Sequence, residues 1–476
     1  MKKSLVALGV IVALGAVWTG SAWYTGKSVE EKAQEHLTLI NTQFAGLESA
    51  GGEIKFDNLS IERGIFSSNV TYDFIVKLPD TQVKVPFEGT LYHGPFPLDR
   101  VAKFDLVPTL LSSNDRIVKN EETQAWFDYA QGKNPFESQI KIGYDSTFSG
   151  QAKIAPVKFD LIDADLLWKG IELKFDKVTE GGIGKSQAII EGLKLVVDNT
   201  DDSSKAIVEI NNIKIDSELQ RSEWEHIPAG RQSALIDSFR VSLTERDMRD
   251  FNLEYRNMSF DANTKIENTS VNYELVTKAP EMLVNGKTVG DLDAKFKLEN
   301  LDGKAMNELL AILDKNPDYE PLPEEQIQAL AKTILQNQPL LQVDPLKLTT
   351  DAGDLKANLI IEMASGNFDV LEQGKVLELF KQLALNIDLN KNALVKLVAM
   401  VEEANGVTKE EAMLAAEQMV NVMFEEAIQQ GVLVDSEKSV NLGLLLENNA
   451  LKLNGQAIPE EQILMAVVLF FLGLGY

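Results

Sequence analysis

Three histidines and no cysteine in 476 residues leave few side chains that could carry chemistry. Without Cys there is no thiolate nucleophile, no disulfide and no thiolate-bound zinc or iron–sulfur cluster. His93 lies in Tyr92-His93-Gly94-Pro95-Phe96-Pro97, a stiff turn with two prolines. A histidine there suits a general base, but no strand–elbow motif presents a serine to it, and a packed turn is the simpler reading. His36 sits among Glu30, Glu31 and Glu35, as on a solvated helix face. His226 follows Glu223-Trp224-Glu225, which are partly ligand types, but the spacing that puts two histidines on one helical face is missing. Asp160, Asp163 and Asp165, and the run from Asp198 to Asp202, offer oxygens to calcium without the central Gly and distal Glu of a binding loop. There is no phosphate-cradling glycine motif, and no spacing singles out a carboxylate pair. No catalytic, cofactor-binding or metal-ligating residue is therefore assigned. No cofactor is expected, and the chain is expected not to be an enzyme.

Charge narrows the partners. Seventy-two acidic residues against 46 basic ones give a net charge of −26. A phosphate-reading surface needs clustered positive charge, so nucleic acid is excluded as the main partner. With 44% hydrophobic and 25% charged residues the composition is globular.

The elements that would position any site begin with an apolar run. Ser4 to Tyr24 is uncharged over 21 residues and follows Lys2-Lys3. That is long enough for a hydrocarbon core of about 30 Å, and the lysines place the N-terminus in the cytoplasm. Gly20-Ser21-Ala22 resembles a leader-cleavage site, but the run exceeds the usual leader core of about 7–15 residues, which favours a retained anchor. Gly9/Ala13 and Ala16/Gly20 recur four apart, as small residues do where membrane helices meet or by simple abundance. Val29, Ala33, Leu37, Ile40 and Phe44 continue at helical spacing as a stalk.

After Ala50-Gly51-Gly52 the apolar period becomes two. Val70, Tyr72, Phe74, Val76 and Leu78 alternate strictly, and the beat returns in segment after segment to Leu355-Ala357-Leu359-Ile361. Such alternation predicts antiparallel sheet with one apolar face. Asn199 to Asp202, Asn211-Asn212 and Asn285-Gly286 are expected turns. Helices are expected at 305–313, from Pro323 to about Gln336, at 392–405, and from a Thr408-x-x-Glu411 capping box to Gly431. The tail from Ile463 to Gly475 is too short for a comfortable span and is expected to pack as a helix on a sheet face. The expected fold is α+β and predominantly β: an N-terminal transmembrane helix, an extended antiparallel body, and helices concentrated in the C-terminal third. The expected divisions are 1–26 (cytoplasmic tip and anchor), 27–50 (stalk), 51–300 (β-rich) and 301–476 (mixed).

Several motifs carry a resemblance: the N-terminal MKKSLVALGVIVALGAVWTGSAWYTGK, Arg63-Gly64-Ile65-Phe66-Ser67-Ser68, His93-Gly94-Pro95-Phe96-Pro97, Gly132-x-x-Pro135-Phe136-Glu137 and Leu453-Asn454-Gly455-Gln456. In these the chain resembles the YdgA-like family of bacterial inner-membrane-anchored proteins, in order along its length but loosely between about Gly150 and Leu340. The resemblance implies an inner-membrane anchor with the bulk of the chain in the periplasm, and a homodimer; it brings no activity with it. Two functions follow. One is a non-enzymatic scaffold or interaction protein of the cell envelope, its sheet covered by its own late helices or by a partner protein. The other is a lipid-handling module with an apolar β-sheet groove for phospholipid.

Overall fold

The computed structural model describes residues 2–44, 53–78, 81–160, 164–179, 181–199, 204–244, 250–314, 324–365, 375–404 and 406–459. The chain forms two compact units. The first comprises Met1–Leu161, Asp165–Leu193 and Lys214–Leu219; the second comprises Ile162–Ala164, Lys194–Ile213 and Gln220–Tyr476.

The first unit opens with one continuous helix, α1 (Lys2–Phe44). Its sheet runs through β1 (Glu53–Arg63), β2 (Ser67–Leu78), β3 (Thr81–His93), β4 (Leu111–Ile117), β5 (Phe136–Ile142), β6 (Phe148–Ile154), β7 (Val157–Asp160) and β8 (Ala164–Val178). Each of β1 to β5 pairs antiparallel with the next, β6 pairs with β8, and β7 pairs with β8. Two short helices interrupt it, α2 (Leu98–Val101) and α3 (Gln124–Tyr129). The alternating stripe on β2 is packed at Val70, Tyr72 and Phe74. Phe74 packs with Phe87, Trp126 and Phe136 on a core of Val85, Ile117 and Phe127. Facing register also puts Tyr72 over Phe87, their rings stacked 5.1 Å apart. The Val70–Leu78 stripe of the sequence is therefore packed by this unit's own aromatic side chains at Tyr72 and Phe74.

Next come β9 (Gly184–Asn199) and β10 (Ser204–Gln220), which pair with each other. Asn211-Asn212, expected as a turn, lies inside β10 instead. Asn212 holds φ of 49°, a left-handed residue that Asn tolerates, so the strand continues through it. The Asn199–Asp202 turn falls mainly on residues outside those described.

The second unit is a run of antiparallel pairs through β11 (Ala229–Thr244), β12 (Phe251–Glu267), β13 (Ser270–Val284), β14 (Lys287–Asp302), β15 (Leu340–Thr350), β16 (Gly353–Met363) and β17 (Phe380–Asn390). β18 (Val434–Asp435), β19 (Ser439–Glu447), β20 (Ala450–Leu453) and β21 (Gln456–Ala457) complete it, β19 pairing with β17. The Asn285-Gly286 hairpin turn forms as expected, with φ of 50° and 75°. Four helices intervene: α4 (Gly303–Asp314), α5 (Glu324–Gln336), α6 (Lys391–Ala404) and α7 (Lys409–Gln429). Thr408 caps α7, its hydroxyl accepting from the Glu411 N–H and donating to the Glu411 carboxylate. The chain is thus mostly antiparallel sheet, with its helices after α1 gathered chiefly toward the C-terminal half. The tail from Ile463 lies outside the described residues. Among the described residues no helix is long and apolar enough to cross a membrane; side chains of α1 are described only from Gly15 onward.

Candidate functional site

Two places concentrate unusual features, one in each unit. In the first, His93 closes β3 and is 1% exposed. Its Nδ1 lies 3.0 Å from the Ile65 carbonyl oxygen, which accepts only if Nδ1 carries the proton. That leaves Nε2 to accept from the Ser68 hydroxyl at 2.8 Å. Ser68 is the second residue of the facing strand, and the β2–β3 register, which pairs it with Leu91, sets it diagonally beside His93. Burial pushes the imidazole below its ordinary value, and the Ile65 carbonyl only partly offsets this, so the ring is neutral.

Serine and histidine in this geometry are the parts of a nucleophile–base pair, and the sequence reading, which found no serine for His93, missed Ser68. Their surroundings favour another role. Ser68 is 2% exposed, and α1 lies directly over the ring: a Cβ placed on Gly26 would come 2.3 Å from His93 Cε1. Only glycine permits so close an approach. On either side α1 makes further contacts. Trp18 Nε1 donates to the Phe96 carbonyl at 3.1 Å, with its ring 5.4 Å from that of Phe66. Glu30 pairs with Arg63 at 2.6 Å. Asn41 exchanges two hydrogen bonds of 2.8 Å with the Phe56 backbone. The pair thus ties β2 to β3 beneath α1, at the sheet end on which the helix packs. A second polar group lies on the same sheet, where Asp115 accepts from the Ser113 and Ser138 hydroxyls near Tyr72. Burial and then the Asp115 charge hold the Tyr72 phenol far above its usual range, while burial raises Asp115 against hydrogen bonds from Ser113 and Ser138.

In the second unit the candidate is a surface. Strand partners share a face, so the registers align Leu275, Phe296, Val343, Leu359, Leu385 and Leu444 as one row across six strands. The rows beside it repeat the pattern, with Tyr273, Leu298, Leu341, Ile361 and Leu383 on one side and Ala294, Leu346, Ala357, Ile387 and Leu442 on the other. The opposite face carries Lys278, Asp293, Lys347, Lys356 and Asp388 in register. With strands about 4.8 Å apart, six of them make the apolar face about 24 Å wide. Met306 and Leu310 of α4 and Ile334 of α5 cover it near Tyr273 and Leu298. Leu275, Phe296 and Leu346 remain 37%, 38% and 39% exposed.

A polar cleft of about 760 Å³ also lies in this unit, bounded by Arg240, Glu254, Lys287 and Glu403 among others. Its charges answer one another: Arg240 pairs with Glu254 at 3.0 Å and Lys287 with Glu403.

Of the remaining sequence candidates, the β7–β8 register sets Asp160 opposite Asp165, and the others are not brought together. The His226 N–H donates to Asn307 at 2.8 Å in a half-buried turn. Asp165 pairs with Lys158 and Asp198 with Lys205; Asp163, Asp201 and Asp202 lie outside the described residues, as do the side chains of His36 and Asp160. Among the described residues no group of three metal-ligating side chains forms.

Comparison with known proteins agrees with the motif reading. The chain is 25% identical to Protein YdgA of Escherichia coli K12, over 97% of its own length and 96% of that protein. It is 23% identical to protein YihF of the same organism, over 96% of its length and 97% of that protein. A Haemophilus influenzae protein described as uncharacterized is 30% identical over 66% of this chain and 86% of its own. Residues 1–461 match the family described as "Bacterial protein of unknown function (DUF945)", and the chain belongs to that family.

Proposed function

We propose that the protein is a membrane-tethered, non-enzymatic component of the bacterial envelope, its bulk in the periplasm, whose second unit holds the acyl chain of a phospholipid against the row Leu275–Phe296–Val343–Leu359. The partly exposed row carries this reading. Open apolar surface disfavours the folded state by about 25 cal/mol per Å², so the exposed area at Leu275, Phe296 and Leu346 favours an apolar occupant. The tether rests on the uncharged Ser4–Tyr24 run and the preceding lysines. In the competing reading, a scaffold or homodimer covers the same face with protein.

Extraction of the purified full chain with organic solvent, followed by mass spectrometry, separates the two. The expected result is about one phospholipid per chain, lost in Phe296→Asp while the circular dichroism and unfolding midpoint of the folded body persist. Equal lipid in wild type and variant, or none in either, would sink the lipid reading. Cross-linking between copies through this face would then establish the scaffold.

A further inference from the structure

Antiparallel pairing brings three connections to one end of the first unit's sheet. Ser67 faces Tyr92, Leu111 faces both His93 and Ile142, and Ile142 faces Phe148. The tip between β1 and β2, the loop from Gly94 to Leu110, and the turn after β5 therefore emerge together. This end is unusually apolar and open: Ile65, Leu98, Phe104, Leu106, Val107 and Tyr144 are all exposed there, Phe104 to 91%. It is also built rather than loose. The Asp105 N–H donates to the Arg100 carbonyl, the Thr109 N–H to the Pro95 carbonyl, and the Leu110 N–H to the Ile142 carbonyl. Phe104 is held at φ of 60°, a left-handed conformation unusual for an aromatic residue, and it projects into solvent.

α1 connects this end to the bilayer. Trp18 is docked on Phe96 and Phe66 at the same sheet end, Gly26 lies on His93, and Asn41 reaches Phe56 farther along β1. The helix thus runs along the unit and leaves it at the apolar end, toward its own N-terminus. Between Lys3 and Trp18 stand Ser4 to Val17, 14 residues. At 1.5 Å each they reach about 21 Å, short of a hydrocarbon core of about 30 Å.

The geometry points to the remedy: the sheet end itself sinks into the periplasmic face of the bilayer, with Phe104, Leu106 and Val107 among the headgroups and upper acyl carbons. The occupant of this surface is the lipid bilayer that α1 enters, and the inference rests on reading α1 as an anchor. Apolar loop tips flanked by aromatic rings suit that depth.

The absence of native cysteine makes the test direct. Full-length chains carrying a single Phe104→Cys, Leu106→Cys, Glu121→Cys or Ala13→Cys are labelled with an environment-sensitive nitrobenzoxadiazole dye and reconstituted in phosphatidylcholine vesicles. Glu121 is exposed beyond the far end of β4. Dye at 104 and 106 is expected to shift to the blue and to lose at least half its emission to lipids doxyl-labelled near the headgroup, with dye at 121 unchanged. Quenching at 13 but not at 104 or 106 would overturn the inference and leave the anchor intact. No quenching at 13 would remove the anchor and the inference together. A blue shift at 104 without lipid quenching would mean that protein covers the loop, and would also overturn it.

Discussion

Gly26, Ser68 and His93 come from a helix and two strands, and their contact explains why a His-Gly-Pro-Phe-Pro turn is more than punctuation. Gly26→Ala adds a methyl group where the His93 ring already stands. Over-packing of this kind costs about 1–3 kcal/mol, of which the better helix propensity of Ala returns at most about 1. A lowered denaturant midpoint is expected, and largely restored when His93 is also Ala; additivity of the two changes would refute direct contact. The same histidine makes the unit pH-sensitive. Its folded pKa lies below the unfolded value of about 6.5, so the unfolded chain binds more protons between the two. Stability is then full above about pH 6.5 and declines as pH falls through the window below it. His93→Gln should flatten that slope in denaturation measured from pH 7 to pH 5, and an unchanged slope would assign it to other groups. The histidine was visible in the sequence; its serine was not. Ser68 stands 25 residues away, and only the pairing of β2 with β3 makes them neighbours.

Single elements were the most legible part of the chain. Period-two alternation marks strands because successive side chains point to opposite faces, and the Thr408 box marked the start of α7 through one local hydrogen bond. Thr408→Ala should cost about 1 kcal/mol in unfolding experiments, a loss near zero meaning that the cap is idle. Asn211-Asn212 misled because one residue type serves two purposes: asparagine at positive φ can end a strand or pass within it. Asn212→Gly is expected to be nearly neutral, whereas Asn212→Val should cost about 1–2 kcal/mol by forcing a β-branched residue into a left-handed conformation. What no single strand could reveal is which stripes stay open. The Val70–Leu78 stripe and the Leu292–Leu298 stripe read alike, yet Phe74 packs on the core of Val85, Ile117 and Phe127 while Phe296 keeps more than a third of its surface. Covering groups arrive from distant sequence, so openness belongs to the assembled sheet.

At the scale of the molecule, the proposed membrane tether is the reading on which the bilayer-contact inference depends. An alkaline phosphatase fusion after residue 100 should be active, and the full chain should remain in the membrane through carbonate extraction. A soluble product starting near Ala22 or Trp23 would show that the apolar run is a leader. The unbroken course of α1 has a mechanical consequence. A flexible linker would let the body it carries wander over a hemisphere, at many heights and tilts. Here Trp18, Gly26 and Asn41 of a single rod are all fastened to one sheet, and the 23 helical steps from Trp18 to Asn41 set a lever about 35 Å long. Any tilt of the rod becomes the same tilt of the first unit, and under the proposed tether that tilt would be set in the bilayer. The first unit cannot lean or turn independently of α1, so the heights of its residues change only together, as those of one solid piece.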